Sequence, residues 1–200
     1  LGSHLLCHLA LSGEKIIALK RKESRVEETM ALFSRYFSSP EEAVSRVTWV
    51  EGDVLDGESI SPCVEKVHTV YHCAAMVSFN ESDRDTLLRT NIRGAENICS
   101  LCLQHRVRLC FVSSIAALGD APDESVIIDE DTPEIPGSVH SLYSGSKGAS
   151  EKTVWEYVQK GLEAVIVNPA IILGTGLRGR SSAKLFEQAR KGMPFYTDGV

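Results

Sequence analysis

Residues 108–114 read Arg108-Leu109-Cys110-Phe111-Val112-Ser113-Ser114. Leu109 to Val112 is a short apolar run holding an aromatic and a β-branched residue, the composition of a buried strand. It runs into two serines and then into Ala116–His140, a long stretch rich in Pro, Asp and Glu. Arg84–His105 before it and Ser141–Lys160 beyond the loop both place apolar residues at every third or fourth position, as a helix with one buried face does. The same alternation extends to both ends. Strands are expected at Lys15–Leu19, Val47–Val50, Val67–Tyr71 and Ala164–Val167, and helices at Gly2–Leu11, Arg25–Phe37 and Ser182–Lys191. Short, nearly unbroken apolar strands between amphipathic helices predict a doubly wound α/β fold, a parallel sheet covered on both faces. In such a sheet, the loops Ala116–His140 and Pro169–Arg180 lie at carboxyl ends of strands, where ligands bind.

Composition narrows the function. The chain has 200 residues, 43% hydrophobic and 24% charged, enough for one domain over 1–200 with a sizeable core. The net charge is -6 with no basic patch, which argues against a nucleic-acid partner. No apolar stretch is long enough to span a membrane, and no signal segment opens the chain. Six cysteines (Cys7, Cys63, Cys73, Cys99, Cys102 and Cys110) lie inside apolar runs and read as reduced core residues of a cytoplasmic protein. In that compartment the Asn80-Glu81-Ser82 pattern would not meet the glycosylation machinery. A homodimer is a possible assembly. A helix begins at once behind Leu1, without the strand and glycine-rich turn that open a doubly wound fold. The last residues, Tyr196–Val200, bring no closing element. The expectation is a fragment cut at both ends, with the first strand and most of the glycine turn missing.

Tyr143 and Lys147 lie four apart on the expected helix Ser141–Lys160, which puts both side chains on one face. A phenol titrates near pH ~10, and a neighbouring ammonium favours the phenolate, so such a pair can exchange a proton with a substrate oxygen. Alone, the spacing also fits a solvated helix face. Ser113 and Ser114 add hydroxyls at a strand's carboxyl end. Asn91, in the run Thr90–Asn97, stands mid-helix ahead of Gly94, where propensity disfavours both residues.

Together these residues resemble the extended short-chain dehydrogenase/reductase family, across nearly the whole chain. Leu1-Gly2-Ser3-His4-Leu5 resembles the end of its glycine fingerprint, with Gly2 as the last glycine. Glu51-Gly52-Asp53-Val54 is similar to its adenine-binding strand end, and His72-Cys73-Ala74-Ala75 to its loop beside the cofactor ribose and pyrophosphate. Asn91, Ser114, Tyr143 and Lys147 match its catalytic tetrad. Ser146-Lys147 with Glu151 repeats its Ser-Lys-x-x-x-Glu run, and Asn168-Pro169-Ala170-Ile171 resembles its nicotinamide-contacting segment. The segment Ile115-Ala116-Ala117-Leu118-Gly119 is nearer the dihydroflavonol-reductase and 3β-hydroxysteroid-dehydrogenase branches than the epimerases, many of which have Val-Tyr-Gly there.

The resemblance implies a Rossmann domain and an NAD(P)-dependent oxidoreductase acting on a carbonyl or secondary alcohol. Tyr143 would be the general acid/base. Lys147 would favour its phenolate and bind the nicotinamide ribose. Ser114, or else Ser113, would orient the substrate oxygen, and Asn91 would hold a water linking Lys147 to solvent. Cofactor contacts would come from Gly2, Arg21, Asp53, Val54, Cys73, Ala74, Ala75, Asn168, Pro169 and Ile171 as well. NADP(H) is favoured over NAD(H): the strand ends Leu19-Lys20-Arg21-Lys22 with no acid before Glu23, and Arg21 falls where the dihydroflavonol-reductase branch has a phosphate-binding arginine. A solvated basic loop is the alternative. Two other readings stay open, a nucleotide-sugar epimerase or dehydratase using the same site, and a non-catalytic cofactor sensor, against which the intact tetrad counts. No metal is expected. His4 and His8 have no third ligand nearby, and Cys99 and Cys102 sit late in a helix, where packing is the simpler role.

Overall fold

The computed structural model describes residues 1–119, 127–132, 141–173 and 189–192. The expected helix Ser182–Lys191 falls mostly outside the described residues, as do much of the Ala116–His140 and Pro169–Arg180 loops and the chain end at Tyr196–Val200. The chain divides into two compact units, Leu1–Pro169 and Ala170–Val200. The first contains every element named below.

Seven α-helices and five strands alternate in it among the described residues: α1 (Gly2–Leu11), β1 (Ile16–Lys20), α2 (Val26–Tyr36), α3 (Pro40–Val44), β2 (Val47–Glu51), α4 (Gly57–Val64), β3 (Thr69–His72), α5 (Arg84–Leu88), α6 (Gly94–His105), β4 (Arg108–Val112), α7 (Leu142–Gln159) and β5 (Ala164–Val167). All pairing is parallel. β1 lies beside β2, with Ile16 opposite Val47 and Lys20 opposite Glu51. β4 lies between β3 and β5, with Thr69 opposite Arg108 and Leu109 opposite Ala164. β1 and β3 do not pair, so there are two sheets, of orders β1-β2 and β3-β4-β5.

Alternation along β1 sends successive side chains to opposite faces. Ala18 enters a core with Cys7, Ala10 and Phe33 from α1 and α2. Leu19 points the other way, toward Gly52 and α4: a Cβ built on Gly52 would lie 2.9 Å from Leu19 Cδ1 and 3.0 Å from Ile60 Cγ2. Helices therefore cover both sides, as a doubly wound fold requires. A second core joins Ile60, Ile98, Leu109, Phe111 and Val154 from α4, α6, β4 and α7. Cys99 and Cys102 pack into it, and burial pushes both thiols up to about 12, so they are inert core groups.

Three differences from expectation have local causes. Strand β1 starts and ends one residue later than expected, at Ile16 and Lys20, so Arg21 is the first residue past it, and β3 starts two residues later, at Thr69. The expected helix Arg84–His105 is interrupted: one turn of π-helix, Arg89–Arg93, separates α5 from α6 and turns Asn91 inward. Helices α3 and α4 escape notice in the sequence because they are short and α4 contains Pro62; Asp56 caps α4 by accepting the Ser59 N–H at 3.3 Å.

Phe33 is fully buried between α1, β1 and α2. Phe33→Ala is expected to cost about 3–5 kcal/mol in urea unfolding, the range for a truncated core aromatic. A loss below ~1 kcal/mol would mean that this core does not hold β1 and β2 in place.

Candidate active site

Helix α7 begins at Ser141, whose hydroxyl accepts the Ser144 N–H at 3.1 Å, and carries Tyr143 and Lys147 one turn apart. Tyr143 is half-buried. Its ring meets that of Phe79 edge-on, with centroids 6.1 Å apart. Lys147 is only 2% exposed. Its Nζ donates to the Val112 carbonyl at 2.8 Å and lies 4.7 Å above the Phe111 ring. An ammonium taken out of water is disfavoured. Burial accordingly lowers Lys147 to about 8, against the opposing pull of Glu151 one turn further along α7. His72 stacks on the other residue in this group, Phe111, at 5.5 Å. Burial, and then the Lys147 charge, push His72 down to about 4, so it is neutral at physiological pH.

Three asparagine side chains tether the loops that leave the strands. Asn97 of α6 donates to the Val54 carbonyl past β2 at 2.8 Å, and Gly94 lets that segment approach: an added Cβ would sit 3.0 Å from Val54 Cγ2. Asn91 accepts the Met76 N–H past β3 at 2.7 Å and donates to the Met76 carbonyl at 3.0 Å. Asn168, past β5, donates to the Ser114 carbonyl at 3.1 Å and to Glu151 Oε1 at 2.6 Å. A fourth tether runs from α7, where Ser144 Oγ donates to the Ala116 carbonyl at 2.5 Å.

The residues singled out in the sequence gather at the carboxyl ends of the strands. Arg21 follows β1, Asp53 and Val54 follow β2, Cys73, Ala74 and Ala75 follow β3, Ser114 follows β4, and Asn168 and Pro169 follow β5. Gly2, the first residue of α1, sits against the β3 loop: its added Cβ would be 3.7 Å from Cys73 Cβ. Ile171 belongs to the second unit. Ser114 Oγ accepts the Ala116 N–H at 3.2 Å, opening a short 3-10 turn. Ser113 is buried, and its Oγ has no hydrogen-bond partner among the described residues. His4 Nδ1 meets the Tyr36 hydroxyl at 2.6 Å, and no group of three metal-ligating side chains occurs among the described residues. Ser146 was read in the sequence with Lys147 and Glu151, whereas Asn97 and the stacking of His72 on Phe111 were not singled out. Their only signal was a polar residue at a mid-helix position or a histidine closing an apolar strand.

These residues fit a dinucleotide. The start of α1 has no side-chain cap and no acid in its first turn, which leaves its N–H groups and positive dipole end for a pyrophosphate. The orphaned Ser113 hydroxyl and the buried Lys147 lie on the β4 and α7 sides of the same strand ends.

Comparison with known proteins agrees. The model of an NAD-binding family described as male sterility protein matches residues 1–193. A sterol demethylase protein B of Methylococcus capsulatus is 32% identical over 87% of this chain and 49% of its own length. A putative dihydroflavonol 4-reductase of Synechocystis is 29% identical over 86% of this chain and 46% of its own length. The crystal structure of the terminal R domain from the myxalamid PKS-NRPS pathway superposes with a TM-score of 0.73 at 26% identity, covering 86% of this chain and 46% of that one. The chain thus spans about half the length of the relatives it matches.

Burial of Lys147 carries a pH signature. Its folded-state value, about 8, lies below the roughly 10.4 of a free lysine. Between those values the unfolded chain binds more protons, so Lys147 makes folding more favourable as pH rises through that window. Lys147→Met removes this contribution. Its stability relative to wild type is expected to fall by about 1–3 kcal/mol between pH ~7 and ~10, followed by urea unfolding. Parallel curves for the two proteins would show that Lys147 titrates as it does in water.

Proposed function

We propose a function from this premise: the chain belongs to the NAD-binding family described as male sterility protein, within the extended short-chain dehydrogenases/reductases. It carries the cofactor-binding and acid/base half of an oxidoreductase acting on a carbonyl or secondary alcohol. The observation that supports this most is the buried Lys147 ammonium, one turn from Tyr143 and bonded to the strand that ends in Ser113 and Ser114.

A bound nicotinamide cofactor supplies the hydride. The chain handles the proton. In reduction the Tyr143 hydroxyl gives its proton to the carbonyl oxygen as hydride reaches the carbonyl carbon, and an alcohol forms. Lys147 stabilises the phenolate left on Tyr143, which regains a proton from solvent. The Ser114 hydroxyl donates to the same substrate oxygen and holds it toward Tyr143. In oxidation the phenolate takes the alcohol proton. The name of the Synechocystis relative favours the reductive direction and a small-molecule carbonyl substrate.

NADP(H) is the preferred cofactor. Arg21 is exposed just past β1, in a turn closed by its own N–H donating to Ser24 Oγ at 3.0 Å and by the Ser24 N–H donating to its carbonyl at 3.0 Å. Its guanidinium suits bidentate binding of a 2′-phosphate. Lys20 is already paired with Glu51 at 3.6 Å.

Tyr143→Phe, in the intact protein that contains this chain, is expected to abolish turnover while cofactor affinity stays within about threefold. Activity above a tenth of wild type, a loss under ~1.4 kcal/mol, would remove Tyr143 from the acid/base role. Interconversion of nucleotide sugars without net change of cofactor would instead identify an epimerase or dehydratase.

Arg21→Ala is expected to weaken NADP(H) binding by about tenfold or more and to leave NAD(H) within about twofold, measured by fluorescence titration. Tighter wild-type binding of NAD(H), or equal losses for the two cofactors, would contradict the preference.

A further inference from the structure

Ser146 precedes Lys147 on α7 and is fully buried, an unfavourable place for a hydroxyl unless it is hydrogen-bonded. Its bonds lead two ways. Oγ donates to the Tyr143 carbonyl at 2.7 Å and accepts from Asn91 Nδ2 at 2.9 Å. Asn91 in turn grips both backbone groups of Met76. With one bond accepted and two donated, the donor capacity of the Asn91 amide is used up. The carboxamide is thus a clamp on the loop that follows β3.

Two further observations tie this clamp to Tyr143. The π-helical turn Arg89–Arg93 centres on Asn91, which is 2% exposed. Such insertions cost helix stability, and here the extra residue turns the carboxamide inward. The clamped loop also returns to the same helix turn, where Phe79 meets the Tyr143 ring. That loop is braced beyond Met76: Ser78 Oγ donates to Asp83 Oδ2 at 2.6 Å and accepts the Asn80 N–H at 3.1 Å. Tyr143 is therefore held at its backbone through Ser146 and met at its ring by a loop anchored through Asn91.

We infer that Ser146 is a positioning residue which, bonded to Asn91 and to the Tyr143 carbonyl, sets Tyr143 against the loop following β3. The inference rests on the proposed role of Tyr143 for its kinetic readout only. Ser146→Ala removes both bonds of the hydroxyl. Asn91→Asp keeps an acceptor for the Met76 N–H and loses both donors. Both variants are made in the intact protein, with Tyr labelled for aromatic NMR and an aromatic aldehyde as the carbonyl probe. The expected result is a kcat lowered by about tenfold or more, with KM for the probe and cofactor affinity within about threefold. The Tyr143 ring signals should shift as the Phe79 contact is lost, while those of Tyr36 and Tyr157 stay in place. If wild type turns over no carbonyl compound but the Tyr143 signals move in both variants, the positioning role stands and the proposed function fails. Unmoved Tyr143 signals, an unchanged kcat, or loss of the fold in both variants would overturn the inference.

Discussion

A lysine ammonium held out of water is the constraint around which this structure is arranged. Lys147 has one hydrogen-bonding partner in the Val112 carbonyl, an aromatic face beneath it in Phe111, and the Glu151 carboxylate one turn away. Burial lowers the group to about 8, against the opposing pull of Glu151 and Cys73. His72, stacked on the same Phe111, cannot add a second charge and stays neutral. The centre of the β3-β4-β5 sheet is thus built to carry a single cation where α7 crosses the strand ends. A buried cation of this kind adds little to stability on its own. In the proposed function it serves the Tyr143 hydroxyl one turn earlier.

The asparagine tethers follow from the same demand. In the proposed reaction a cation and a phenol on a rigid helix act on a substrate oxygen only if the surrounding loops keep their places to within a fraction of an ångström. The loops leaving β2, β3 and β4 carry the Asp53–Val54, Cys73–Ala75 and Ser114 segments. Each is fastened at its backbone by a carboxamide, from Asn97, Asn91 and Asn168 respectively. Backbone-directed bonds of this kind hold a loop whatever its own side chains are. Asn168 also donates to Glu151, so one carboxamide joins the Ser114 loop to the carboxylate that offsets the Lys147 burial.

Much of this was legible in the sequence wherever the information is local. The Tyr143–Lys147 spacing, the apolar run ending in Ser113 and Ser114, and the helix–strand alternation each depend on neighbouring residues only. The tethers were not legible, because they join positions 15, 43 and 54 residues apart. The π turn has no signature of its own; it showed only as a mid-helix Asn91 followed by Gly94. Lys15 and Lys20 both flank the aliphatic run, and pairing with β2 sets the limits of β1 at Ile16 and Lys20. Pro62 hides the short helix α4, and the Ser-Lys-x-x-x-Glu run that contains Ser146 gives no sign of the Ser146 bonds to Asn91 and to the Tyr143 carbonyl.

The proposed reaction passes hydride to a carbon whose oxygen is served by Tyr143. The most direct measurement is a single turnover of the intact protein with reduced cofactor deuterated at the transferring C4 position and an aldehyde probe, the product analysed by mass spectrometry and NMR. The account predicts one deuterium on the former carbonyl carbon and a solvent-derived proton on its oxygen. Deuterium left wholly on the cofactor, with the probe unreduced or altered by another route, would contradict it.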